Sequence, residues 1–247
     1  MFDGIIKLRR MGLGKKSGTD GHLDSLLGVG LYTVSESVDV ISHRLSGRVD
    51  NRLLLRWSKG RREASKDYAA ITEAPLKIAD TNLFTFVQLI ELMTIAALRS
   101  KGVKSKAIRL AYAARKERYG DYPFARERFR TDGIGIFPGS DDELMEELSR
   151  GQLFFKNVIE PILMDVSYAN GCAVTFSPLG SDKSVILDPA RAFGSPIDKE
   201  TGVPTHVLYA MRQSGEAEES VAEWYGVSIK GVRDAVEYES ALQLKAA

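Results

Sequence analysis

The sequence predicts a mainly α-helical fold with small β-hairpins. An N-terminal winged helix-turn-helix is expected to precede a C-terminal helix-turn-helix-like, homeodomain-like domain of three helices. Three observations carry this. Two short segments, 31–41 and 51–57, each open on a side chain able to cap a helix and are joined by a tight polar connection. Apolar residues recur at helical spacing over 86–97 and 104–119. Three more helical stretches, Val207–Ser214, Glu218–Tyr225 and Ile229–Glu239, close the chain after a strand-like Ser184–Asp188 and a run punctuated by Pro189, Gly194, Pro196, Gly202 and Pro204.

Taken in order, residues 1–28 are Gly-rich with little to bury and read as a flexible arm. Order begins at Leu31, and Thr33 with Glu36 has the spacing of a capping box for a helix running to about Ile41. After a turn with Ser46 and Gly47, Asp50 can cap Asn51–Trp57, in which Leu54 and Trp57 lie one turn apart. Two capped helices with a tight connection form a helix-turn-helix candidate. The polar, basic stretch Ser58–Asp80 suits a wing or loop, and Gly102 ends the buried helix that begins at Phe86. The pairs Asp132-Gly133 and Asn170-Gly171 are hairpin-turn dipeptides. Between them an acidic helix is expected near Asp141–Ser149, and an apolar one from Gln152 toward Met164 that Pro161 bends or ends. The expected divisions are therefore 1–28, a winged unit at 29–120, a mixed α/β middle at 121–180 and a C-terminal unit at 181–247.

The chain has 247 residues, 44% of them hydrophobic, enough for real cores. A net charge of +1 conceals a split. Residues 44–66 hold eight Lys or Arg against Asp50 and Glu63, and 98–118 hold eight against Glu117. From 185 onward there are ten acidic residues against six basic ones. This pattern suits a part facing a polyanion and a separate part facing a protein, although solvated helix faces would carry similar charge. One cysteine, Cys172, leaves no intramolecular disulfide, and the apolar stretch 83–98 is broken by Gln88 and Glu91. A cytoplasmic protein without a membrane segment is expected.

No catalytic constellation is present in the sequence, and no cofactor or metal is implied. His22, His43 and His206 are isolated, and Cys172 sits in an expected strand beside a turn, as a buried small hydrophobe would. Gly133-Ile-Gly135 lacks the strand and helix of a nucleotide-binding loop, and Asp141-Asp142-Glu143 favours a helix start. A binding protein is expected.

Charge and architecture coincide around the second helix. Arg44, Arg48, Arg52 and Arg56 recur every four residues, followed by Lys59, Arg61 and Arg62 where a wing would meet a phosphate backbone. Asn51 and Arg52 open the helix, where base edges are usually read. The plainer alternative is that these arginines only solvate a helix. The last expected helix carries Lys230 and Arg233 against Asp234, Glu237 and Glu239, which favours protein contact over DNA. Glu218, Glu219, Glu223, Glu237 and Glu239 are the candidate partner contacts.

Residues 184–240, with Val185-Ile-Leu-Asp-Pro189, Phe193-Gly194, Pro196-Ile197, Thr201-Gly-Val-Pro-Thr205, Val221-Ala222, Tyr225 and Ala235, resemble the small domain of unknown function, family 433, found in VapB-class antitoxins. Upstream, Tyr32-Thr33, Arg56-Trp57, the Phe86–Arg99 helix and Gly151-Gln152 resemble longer antitoxins that add a MerR-like winged helix-turn-helix. The resemblance implies a type II antitoxin that binds operator DNA as a homodimer or higher oligomer, represses its own operon and neutralises a PIN-like ribonuclease toxin. Ala217 departs from the Ser or Thr cap this resemblance implies, at a cost of about 1 kcal/mol. A MerR-like ligand-responsive regulator and a non-enzymatic interaction scaffold are the alternatives.

Overall fold

Thr33 starts the first helix as its spacing predicts. Its hydroxyl accepts from the Glu36 N–H at 3.2 Å, and the Glu36 carboxylate accepts from the Thr33 N–H at 2.8 Å. Helix α1 (Val34–Arg44) grows from this capping box. The computed structural model describes residues 28–45, 49–63, 66–132 and 160–246. Asp50 accepts from the Leu53 N–H at 2.7 Å and so caps α2 (Asn51–Lys59), which buries Leu54 and Trp57 against α1. Burying a side chain such as Leu54 stabilises by roughly 1.5–3 kcal/mol.

The stretch expected as a wing or loop contains a hairpin. Strands β2 (Arg61–Glu63) and β3 (Lys66–Tyr68) pair antiparallel, with Arg61 opposite Tyr68 and Arg62 opposite Asp67. A second hairpin was not legible in this polar run. Strand β4 (Leu76–Ile78) turns through Ala79 and Asp80, both at positive φ, into β5 (Thr81–Thr85). Residues 31–33 form a strand, β1 (Leu31–Thr33), where only the approach to a helix was expected. It lies on the other side of β5, giving a three-stranded sheet in the order β1-β5-β4 that buries Tyr32 and Phe84.

Thr85 and Gln88 form a second capping box at the start of α3 (Phe86–Ser100). Every residue of α3 from Gln88 to Leu98 is buried, which makes it the central helix of the larger core. Helix α4 (Ser105–Tyr119) follows and lays Ala107, Ile108, Ala111 and Tyr112 on that core, where they meet the short 3-10 turn Pro123–Ala125. The chain then enters α5 (Glu127–Asp132). A helix therefore leads into Asp132-Gly133, and the hairpin expected there is corrected on its N-terminal side: the backbone up to Asp132 makes helical rather than ladder hydrogen bonds. Gly133, the expected helix at 141–149 and most of the one from Gln152 lie outside the described residues. The described chain resumes in α6 (Glu160–Met164), which contains Pro161.

Asn170 and Gly171, at φ 52° and 73°, make the expected tight turn between β6 (Val166–Ala169) and β7 (Cys172–Phe176). Strands β8 (Val185–Leu187) and β9 (Pro196–Asp198) complete an antiparallel sheet in the order β6-β7-β8-β9. The boundary expected at residue 181 thus runs between neighbouring strands of one sheet. Helices α7 (Thr205–Gln213), α8 (Glu218–Tyr225) and α9 (Ile229–Ala246) form the C-terminal three-helix unit around Leu208, Val221, Val227, Val232 and Ala235. Ala217 stands before α8 without a side-chain cap, and Gly226 at φ 64° turns the chain between α8 and α9. The mainly helical fold with small antiparallel hairpins is therefore the one the sequence predicts.

Candidate nucleic-acid interface

Because Leu54 and Trp57 point inward, the same 3.6-residue period turns Asn51, Arg52, Arg56 and Lys59 to solvent. Gly60 ends the helix at φ 75° and lets β2 leave at once. A Cβ there would fall 2.5 Å from the Tyr68 carbonyl oxygen, so glycine is what allows the wing to close against the end of α2. The result is an open groove of about 630 Å³ between helix and wing, lined by Arg52, Arg56, Lys59 and Arg61 with the apolar stems of Leu53 and Leu55. Asp50 also lines it, but one of its oxygens is engaged in capping.

Arg62 and Arg44 do not line the groove. Arg62 lies on β2, strongly exposed, with its guanidinium 3.3 Å from the equally exposed Asp67 across the strand pair. Such a pair is worth little and leaves the cation available. Lys59 donates to the Asn82 side chain at 2.7 Å, tying the end of α2 to β5. Arg44 faces away from α2: its guanidinium pairs with Asp165 and donates to the Pro161 carbonyl at 3.3 Å, fastening α1 to the end of α6. Arg48 lies outside the described residues. Asn82 and the apolar groove floor were missed by charge pattern alone; the Gly directly after a basic helix was the available signal.

At the other end of the chain, Glu219, Glu223 and Glu237 are exposed and Glu218 is half-buried. Glu218 accepts from Arg233 at 2.6 Å, and Glu237 accepts from Lys183 at 2.8 Å. Glu239 differs from them. It is buried, accepts the Thr205 hydroxyl between α9 and α7, and burial pushes its carboxyl above the usual range despite that hydrogen bond. Beside Glu223, Trp224 leaves 57% of its surface exposed.

Among the described residues, no group of three His, Cys, Asp or Glu is placed to hold a metal ion. Among them too, no helix is long and apolar enough to cross a membrane.

This geometry is that of a mainly helical protein in which two capped helices and a small hairpin precede a three-helix unit. The chain is 27% identical over 238 residues to a Mycobacterium tuberculosis protein named "Putative antitoxin VapB45", an alignment spanning 88% of this chain and 97% of that one. It shares its fold with the crystal structure of Rv2018 from Mycobacterium tuberculosis, at a TM-score of 0.66 and 22% identity over 85% of this chain and 99% of the other. No family model matches the chain.

Proposed function

We propose that the chain is the antitoxin of a type II toxin-antitoxin pair. It binds its operator through α2 and the β2–β3 wing, represses its own operon, and neutralises a PIN-like ribonuclease through the acidic C-terminal unit. It acts in the cytoplasm as a homodimer or higher oligomer and needs no cofactor. The family 433 domain and the MerR-like wing named by resemblance belong to the same proposal.

The groove carries this reading. Four cations from two elements, Arg52 and Arg56 with Lys59 on the helix and Arg61 on the wing, converge on one concave face. Phosphates are bound by such convergent cations, while a helix presenting Asn51 and Arg52 at its start is suited to base edges. Similarity to a protein named as an antitoxin supports the toxin partner. A ribonuclease must present a basic surface to RNA, so the exposed Glu219 and Glu223 complement it in sign.

The test is a gel shift with the chain's own upstream DNA at increasing salt. Arg56→Ala should weaken binding to all sequences and flatten the salt dependence, and Arg52→Ala should also relax sequence preference, at roughly 1–3 kcal/mol per lost base contact. Unchanged operator affinity in both folded variants would overturn the DNA reading.

A further inference from the structure

Among the described side chains of the wing, Arg61, Arg62, Asp67 and Tyr68 are exposed and belong to neither apolar core, and an isolated two-stranded hairpin is marginal in water. Its pose therefore depends on how its two ends are held. The first end is Gly60, whose N–H donates to the Arg56 carbonyl of α2 at 3.0 Å. The second is the segment 69–73, which leaves β3, and its hydrogen bonds run to two places.

One is the last turn of α2, where the Trp57 carbonyl accepts from the N–H groups of Ile71 at 2.6 Å and Thr72 at 3.3 Å. The other is α4. Arg109 Nε donates to the carbonyls of Ala69 and Ala70 at 3.0 Å and 3.2 Å. One turn on, the Tyr112 hydroxyl lies 3.4 Å from Thr72 Oγ1, and Lys116 pairs with Glu73. Positions 109, 112 and 116 share one face of the helix, so α4 meets the segment as a row of polar side chains, with Arg109 and Lys116 donating to it.

Behind that row sits Glu91, fully buried in α3. Its Oε2 accepts from the Thr72 hydroxyl at 2.6 Å and the Tyr112 hydroxyl at 3.1 Å, and its Oε1 accepts from the Phe124 N–H at 3.3 Å. A carboxyl in a core is costly unless it is paired, and here these bonds go to the wing's return segment, to α4 and to the turn beside α4.

We propose that Thr72 and Tyr112, gathered on Glu91, together with Arg109, bonded to the Ala69 and Ala70 carbonyls, are positioning residues that fix the wing against α2, so that α4 sets how Arg61 and Arg62 meet a DNA duplex. This rests on reading α2 and the wing as a duplex-binding element. None of the three lines the groove. Their effect on binding passes through the order of residues 61–72, and a shift of α4 along its own face would move the wing.

The experiment uses the full chain and three variants: Thr72→Val, which removes the hydroxyl while keeping the shape, Thr72→Ser, which keeps the hydroxyl, and Arg109→Ala at a partly exposed position. Amide hydrogen exchange over residues 61–72 is measured in the free protein, and affinity for a mixed-sequence DNA duplex is measured across a salt series. Thr72→Val and Arg109→Ala should each speed exchange over 61–72 about tenfold while leaving α7–α9 unchanged. Each should weaken duplex binding by a similar factor with the wild-type salt slope, because no phosphate contact is removed. Thr72→Ser should restore both readouts. Wild-type exchange over 61–72 in Thr72→Val and Arg109→Ala overturns the proposal. So does a salt slope lowered by about one in Arg109→Ala beside an unaffected Thr72→Val, since Arg109 would then be a phosphate contact itself. If the wild-type chain shows no salt-dependent duplex binding, the DNA reading falls, and the exchange measurement alone decides whether the wing is clamped.

Discussion

Tyr32 donates its hydroxyl to the carbonyl of Gly194 at 2.7 Å, joining residues 162 positions apart and tying strand β1 to the turn that precedes β9. The tyrosine is 4% exposed, so the bond is made where water cannot replace it. Tyr32→Phe leaves the Gly194 carbonyl without this donor and should cost about 1–3 kcal/mol. Gly194→Ala should cost more, because its φ is +83° and a Cβ would lie 2.5 Å from the Tyr32 oxygen. Urea midpoints should rank wild type above Tyr32→Phe and Tyr32→Phe above Gly194→Ala. An Ala variant as stable as wild type would contradict the packing described.

A second expected outcome concerns pH. Burial raises the Glu91 carboxyl to about 7, outweighing the lowering by hydrogen bonds from Thr72, the Phe124 N–H and Tyr112, while Glu73 pushes it further up. A raised value means the native state holds a proton that the unfolded chain releases. The associated stability is fully present below about pH 4.5 and is lost as pH rises through about 7, a swing of up to about 3 kcal/mol. Glu91→Gln is neutral throughout and should flatten the decline in urea midpoint across that window. Equal slopes in the two proteins would show that Glu91 is ionised in the native state throughout.

Val232 lies at 0% exposure in the core of the three-helix unit. Val232→Asp places an unpaired charge there and should abolish cooperative melting of α7–α9, at a cost of several kcal/mol. A thermal transition unchanged from wild type would mean that the core of this unit lies elsewhere.

Much of this architecture was legible because local signals were strong. Thr33 with Glu36, Asp50 before Asn51 and Asn170-Gly171 each fix a backbone event through their own side chains or φ values, and all three stand where their spacing places them. Strand β1, the β4–β5 hairpin and β9 were not legible, since each is short and gains its partner from distant sequence, as in the pairing of Tyr32 with Phe84. The same limit applies to the candidate site. A four-residue repeat cannot tell Arg44, drawn to Asp165, from Arg56, which lines the groove. Nor can an acidic run tell Glu239, buried on Thr205, from the exposed Glu219.

That last contrast yields a test of the partner-facing surface. Glu219→Lys with Glu223→Lys reverses charge at exposed positions and should leave the urea midpoint close to that of wild type, within about 0.5 kcal/mol in stability. Rescue of cells from the proposed PIN-like toxin should nonetheless be lost, through repulsion between like charges. Glu239→Lys should instead lower stability outright. Full rescue by the doubly reversed variant would place the toxin contact on another surface.

Whether the groove between α2 and the wing binds duplex DNA is decided by fluorescence anisotropy of the full chain on its own upstream duplex, titrated at several salt concentrations. Log affinity should fall steeply and linearly with log salt. A combined Arg52→Ala, Arg56→Ala and Arg61→Ala variant, equally stable, should lose roughly three units of that slope along with most of the affinity. A wild-type chain whose binding ignores salt, or a triple variant that binds as tightly and with the same slope, would contradict a DNA-binding groove.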